Sequence, residues 1–185
     1  MPTSDDHAPN DPDQPREVLG SVHIGAEAGT GGGGEVAIAR AHRSDLEEIV
    51  ALLTDDVLGR DRESDAANSS YVEAFTAIDA DPNQVLLVAL TDGNTVAATA
   101  QISFIPGLSR GGALRGQIEA VRVAASHRGQ GLGRTFFEWM IDYCAQRGAA
   151  MVQLTTDKRR EDAIRFYERL GFVASHEGMK LNLPH

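Results

Sequence analysis

From Val36 onward, short apolar runs alternate with longer amphipathic ones, and their order predicts most of the secondary structure. "VAIARA", residues 36–41, reads as a strand. In "SDLEEIVALLTDD", residues 44–56, Leu46, Ile49, Val50 and Leu53 share one helical face, and Ser44 with Glu47 three positions on makes a capping box. "SYVEAFTAIDA" predicts a second helix. "QVLLVALTDGNTVAATAQISFI" holds two β-rich runs on either side of Asp92-Gly93-Asn94, a hairpin signal. After the loop "PGLSRGGALRG" come a strand, "QIEAVRVAA", a helix from about Gly131 to Arg147, a strand, "AAMVQLTTD", a helix, "EDAIRFYERL", and an extended piece, "FVASHEGMKLNL". A strand, two helices, an antiparallel meander and then βαβαβ describe an α/β fold of the mixed α+β kind, its central sheet mostly antiparallel and flanked by helices. No internal repeat is present.

Ahead of Val36 the periodicity stops. Residues 1–35 carry seven acids and the single base Arg16, so −6 of the net charge of −10 lies there, and the segment is rich in Pro and Gly, with "GTGGGG" near its end. Such a composition buries too little apolar surface to offset the ordering of the chain. A disordered acidic tail over 1–35 and one domain over 36–185 are therefore expected; 185 residues at 42% hydrophobic content suit a single core. The acidic balance disfavours nucleic acid as a partner. No apolar run approaches eighteen residues and the first residues lack a basic start followed by an apolar stretch, so a soluble, cytoplasmic protein without a membrane partner is expected. Cys144 is the one cysteine, which excludes an internal disulfide, and the six histidines show no HExxH or other ligand spacing, so no metal is expected.

The chemistry gathers in "VRVAASHRGQGLGRTFFEW", residues 121–139. Glycines 129, 131 and 133 let backbone amides approach a ligand, and the helix that follows adds unpaired N–H groups and the positive end of its dipole, so the turn is a cradle for an anion. The nucleotide-binding pattern GxxxxGK[ST] is absent, and GxGxxG fails because position 134 is Arg. What remains is Arg-x-x-Gly-x-Gly, carried by Arg128, Gly131 and Gly133 directly after an apolar strand. This resembles the coenzyme A pyrophosphate signature of the GNAT superfamily of acyl-CoA N-acyltransferases. "DAIRFYERLGF" looks like the second hallmark of that family, and the element order agrees with it from Val36 to Leu183. Many members have Asn where Arg160 stands here; the run Lys158-Arg159-Arg160 is similar to the aminoalkylphosphonate N-acetyltransferase branch and related small-amine acetyltransferases.

The resemblance implies acetyl-CoA as cosubstrate and direct, sequential transfer of its acetyl group to a primary amine of a small molecule. Val121, Arg122 and Val123 would pair with the pantetheine arm as an added strand, and Arg128, Gly129, Gln130, Gly131, Leu132, Gly133 and Arg134 would hold the pyrophosphate. Arg160 and Phe166 complete the implied coenzyme contacts, with Lys158 and Arg159 open to a phosphate or to solvent. An alkylamine is mostly protonated at pH 7, so a base is needed. Glu119 is the candidate: strand alternation puts it on one face with Val121 and Val123, where desolvation would raise its pKa. Tyr167 matches the family's proton donor to the departing thiolate, although Ala163, Phe166, Tyr167 and Leu170 also form a helical apolar stripe suited to a core aromatic. Cys144 lies on a stripe with Phe136 and Met140, which suits buried filler better than a nucleophile. The acceptor choice resides in "VLGRDRESDAANSSYVEAF" and "IPGLSRGGALR". An aminoglycoside or peptide amine as acceptor, a non-catalytic acyl-CoA-binding module, and a homodimer are alternatives that the sequence leaves open.

Overall fold

The computed structural model describes residues 15–24, 34–55, 69–91 and 94–183. Strands β1 (Val18–Ile24), β2 (Gly34–Arg40), β3 (Gln84–Leu90), β4 (Val96–Pro106), β5 (Leu114–Val123) and β6 (Met151–Leu154) form one sheet in chain order. Neighbours are antiparallel from β1 to β5, and β5 runs parallel to β6. Helices α1 (Leu46–Thr54) and α2 (Ser69–Ala80) precede β3, and a short turn, α3 (Ser109–Gly112), links β4 to β5. Helix α4 (Leu132–Gln146) crosses from β5 to β6, and α5 (Glu161–Arg169) follows β6.

Alternation along the strands splits the apolar residues between two layers. Ile38, Leu87, Ala100, Ile102 and Ile118 turn towards α4, whose Leu132, Phe136, Met140 and Cys144 recur at every fourth position and are fully buried. Ala39, Val88, Leu90 and Val96 turn the other way, onto Ile49 and Val50 of α1 and Phe75 of α2. Gly116 lets β5 pass close beneath α4: a Cβ there would stand 2.7 Å from the Cys144 sulfur.

Strand β1 lies inside the stretch expected to be a disordered tail, and for residues 18–24 that expectation is corrected. Composition underestimated it, because three side chains suffice to anchor an edge strand whose backbone pairs with β2: Leu19, Val22 and Ile24 pack on the core. Trp139 of α4 lies over Gly20, where a Cβ would meet its indole nitrogen at 2.7 Å. Just before β1, Arg16 forms a two-pronged ion pair with Asp45, which is only 3% exposed. Residues 1–14 and 25–33 lie outside the described residues, as do Asp92 and Gly93 of the expected hairpin turn; β3 and β4 do pair antiparallel. The first helix is also entered differently from the expected capping box. A 3-10 turn over Arg43–Asp45 precedes α1, and the Asp45 carboxylate accepts the His42 backbone N–H at 2.7 Å, while the Ser44 hydroxyl turns to the His42 ring. The extended piece after α5 joins no strand of this sheet.

Candidate active site

The site is set by where β5 parts from β6. Their pairing runs from Arg115 opposite Met151 to Ile118 opposite Leu154, and β5 then continues to Val123 paired only with β4. From Glu119 onward one side of the β5 backbone opens into the wedge between the two strands. Within this stretch β5 bulges: Thr99 faces Arg122 and Gln101 faces Glu119, so two β5 residues, Ala120 and Val121, oppose the single Ala100. Ala120 carries the irregularity at φ +53°.

The bulge overturns one expectation. An uninterrupted strand would place Glu119, Val121 and Val123 on one face; the extra residue reverses the phase. Val121 and Val123 pack on the α4 side of the sheet, whereas Glu119 is paired in register with Gln101 on the opposite face, and its side chain is exposed. The apolar surroundings expected to desolvate Glu119 are therefore absent.

Beyond Val123 the chain makes a 3-10 turn (Ala125–His127) and enters α4 through Gly129 at φ +75° and Gly131 at φ +86°, the latter as its N-cap. A Cβ built on either glycine meets no atom within 4 Å. The turn thus leaves open space at the N-terminus of a fifteen-residue helix, where first-turn amides lack intrahelical partners. Open space at a helix N-terminus suits an anion such as a pyrophosphate. Gly133 instead packs the helix against β5, its would-be Cβ 3.7 Å from Val123. Two arginines of the motif are committed to the protein. Arg128 donates through Nε to the Val123 carbonyl (2.9 Å) and through Nη2 to Asp55 (3.0 Å), which ties the turn to the end of α1. Arg134 pairs with Glu138 one helical turn on, and Gln130 donates to the Ser126 carbonyl at 2.7 Å. Leu132 is buried in the core, so its side chain anchors the helix start.

Helix α5 borders the same region. Phe166 and Tyr167 pack edge-on against Phe137 of α4 at 5.6 and 5.3 Å between ring centres, so Tyr167 is a packed aromatic. It is not only that. Burial pushes its phenol above the usual value of 10, and the positive charges of Arg160 and Arg122 act against that rise. Arg122 lies on the stretch of β5 beyond its pairing with β6, and Arg160 is the N-cap of α5. Lys158 and Arg159 are engaged elsewhere, with Glu177 at 2.5 Å and with Asp157 through two bonds of 3.0 and 2.7 Å. Cys144 is fully buried, and burial pushes its thiol up to about 11, which leaves no thiolate for nucleophilic attack at neutral pH.

A row of residues passed over in the sequence surrounds Glu119. Gln84, Ser103, Gln117 and Gln153 stand in register on four adjacent strands, and Gln101 with Glu119 forms the next step on the same face. Gln101 donates to Gln84 and Gln153 to Gln117, each at 2.7 Å. The intervening row, Val85, Ile102, Ile118 and Leu154, faces the core. The signal was legible as alternation in "QIS" and "QIE", 101–103 and 117–119; the cross-strand register that joins them was not. Of the two segments assigned to acceptor choice, residues 57–68 lie outside the described residues, while 105–115 form the end of β4, the α3 turn and the start of β5.

A curled mixed sheet with a glycine turn leading from a splayed strand into a helix defines an acyl-CoA acyltransferase fold, and the model of the acetyltransferase (GNAT) family matches residues 46–172. The chain belongs to that family. Among solved structures it is similar to one described as a transcriptional regulator from Bacillus halodurans C-125, with 46% identity, a TM-score of 0.77, and coverage of 80% of this chain and 99% of that one. Among curated proteins it is 34% identical over 88 residues to glucosamine 6-phosphate N-acetyltransferase of Trypanosoma brucei brucei, covering 48% of this chain and 58% of the relative. It is 38% identical over 61 residues to aminoalkylphosphonate N-acetyltransferase of Salmonella typhimurium strain LT2, covering 33% and 40%. The matched segments thus span about two fifths to three fifths of these curated relatives. No helix among the described residues is long and apolar enough to cross a membrane.

Proposed function

We infer that this protein is an N-acetyltransferase that moves the acetyl group of acetyl-CoA directly to a primary amine on a small molecule bearing further hydroxyl or amide groups. The observation that carries the reading is the position of Glu119: it stands at the mouth of the wedge between β5 and β6, beside a glutamine-rich row and on the strand that leads into the glycine turn. Two relatives named for small amino compounds, a sugar phosphate and an aminoalkylphosphonate, point the same way.

Bound acetyl-CoA supplies the thioester carbonyl. The Gly129–Gly133 turn would hold its pyrophosphate through backbone amides, and the open side of β5 from Val121 to Val123 would hold the pantetheine arm and offer an N–H to the carbonyl. Glu119, directly or through a water, takes the proton from the acceptor ammonium, and the freed amine attacks the carbonyl carbon. As the C–N bond forms and the C–S bond breaks, Tyr167 gives its proton to the sulfur, and the nitrogen releases its second proton to solvent, from which the phenol is restored. Its raised pKa keeps the phenol protonated for that step, and Arg122 and Arg160 stabilise the charge left behind. The glutamine row offers amide donors and acceptors, which suits a neutral polar acceptor body better than an aliphatic one.

A screen of primary amines with acetyl-CoA, followed by release of free thiol, tests the reading. Hydroxylated amines such as amino sugars should be acetylated faster than alkylamines of equal length. Thiol release that no amine accelerates, with coenzyme binding retained, would instead favour a non-catalytic acyl-CoA-binding module, the second reading suggested by the relative described as a transcriptional regulator.

A further inference from the structure

Gly116 beneath α4 and Ile118 in the core fix the facing of the first half of β5, with even positions turned to α4 and odd positions to the opposite side. Arg115, Gln117 and Glu119 therefore stand in one line on the face that carries the glutamine row. Their pairing with Ile105, Ser103 and Gln101 is regular, because the bulge begins only after Glu119. Arg115 is half-buried, and its cross-strand neighbours, Ile105 and Met151, are apolar. Among the described residues its guanidinium meets no carboxylate and no other hydrogen-bond acceptor. Arg16 and Arg40, also half-buried, each hold a carboxylate, that of Asp45 and that of Glu17. A partly desolvated guanidinium without an acceptor disfavours the fold unless something else supplies one. Its planar fork of donors matches an oxyanion. Between Arg115 and Glu119, Gln117 is 9% exposed and accepts from Gln153 through Oε1, which leaves its amide N–H groups to donate.

We propose that Arg115 determines acceptor specificity by binding an oxyanion of the acceptor, a phosphate or carboxylate, while Glu119 receives the amine and Gln117 donates to the neutral body between them. The inference rests on the acetyl-transfer reading above and deepens it, from a polar amine to a polar amine that also carries an anion. Four residues of strand separate Arg115 from Glu119, about 13 Å between their backbones, and both side chains are long enough to lean inward. The anion therefore lies several bonds from the amine, as a group on the 6-position of an amino sugar does and a group on the second carbon of a two-carbon amine does not. The order of charges also rejects a competing class. A second ammonium at the far end of the acceptor would meet the guanidinium, so diamines and polyamines are disfavoured. The chain as a whole carries a net charge of −10, so its overall field attracts no anion and this selectivity is local to Arg115.

Titration calorimetry on the full chain, with coenzyme A saturating so that the glycine turn is occupied, tests this with glucosamine, its 6-phosphate and its 6-carboxylate. At least one anionic form should bind about ten- to a hundredfold more tightly than glucosamine, and the tighter of the two names the group. Arg115→Gln should abolish that preference and Arg115→Lys should keep part of it. Neither should change coenzyme A affinity or the melting temperature, because the guanidinium bonds to nothing among the described residues. With acetyl-CoA in place of coenzyme A, Arg115→Gln should raise KM for the preferred anionic amine by the same factor, keep kcat, and leave glucosamine kinetics unaltered. Equal affinity for the three amines, binding of none of them, or a preference that survives Arg115→Gln would overturn the proposal, even where all three are acetylated. Arg115-dependent binding of an anionic amine that is never acetylated would leave the anion site standing and remove the acetyl-transfer reading instead.

Discussion

Gly131 starts α4 at φ +86° with open space where a Cβ would stand. In Gly131→Val the branched side chain occupies that open space and strains the turn by about 1 to 2 kcal/mol, so coenzyme A affinity should fall at least about tenfold. Titration calorimetry on the folded variant checks this; undiminished affinity would show that the pyrophosphate binds elsewhere. Glu119→Gln removes the proposed base but none of the proposed coenzyme contacts. Turnover should drop by roughly 10² to 10⁴ with acetyl-CoA affinity kept, and the deficit should narrow as pH rises towards the pKa of the amine. A constant deficit from pH 7 to 10 would mean that Glu119 only positions the acceptor. Residue types were legible in the sequence because Arg-x-x-Gly-x-Gly needs no register to be seen. The surroundings of Glu119 were not, since they depend on the bulge at Ala120: an alanine at φ +53° leaves no mark in a hydrophobic pattern.

At the scale of elements, α4 and α5 carry two groups that should make the fold sensitive to alkali. Burial raises Tyr167 and holds Cys144 up to about 11, so both stay neutral in the folded chain at pH values where the unfolded chain ionises them. A folded pKa above the unfolded one gives stability that is complete below the unfolded value, near 8.5 for a thiol, and is lost as pH rises through the folded value. Urea unfolding should therefore show stability declining from about pH 9 to 11, with a smaller slope in Cys144→Ala; an identical slope would exclude Cys144 as a source. Tyr167→Phe removes the hydroxyl but keeps the ring on Phe137. It should lower turnover less than Glu119→Gln does, because a thiolate of pKa about 8.5 leaves readily without full protonation. The helices were predicted within a few residues, their apolar stripes being local. The start of α1 was not, because Asp45 is bound by Arg16, twenty-nine residues away, and a distant partner takes precedence over the local Ser44 cap.

The molecule as a whole extends beyond the matched 46–172 segment, and β1 tests how far. Removing residues 1–24 strips the edge of the sheet, bares Trp139 and leaves buried Asp45 without Arg16. Loss of one partner of a buried pair alone costs about 3 kcal/mol, so the truncated chain should melt several degrees lower. Removing only 1–14 should change little. An unchanged melting temperature after the longer truncation would show that β1 adds nothing to stability. The domain expected over 36–185 is better drawn from about residue 15, a boundary hidden in the sequence by the glycines at 31–34 and the acidic residues around a single apolar strand. The proposed function has this chain carry an acetyl group from acetyl-CoA to a small amine without storing it. Incubation with isotope-labelled acetyl-CoA, read by mass spectrometry of protein and amine together, tests that most directly. With a hydroxylated amine present, the label should appear on the amine nitrogen at a rate that falls in Glu119→Gln, and the protein should remain unlabelled throughout. Label accumulating on the protein, or on no amine while acetyl-CoA stays bound, would contradict the account.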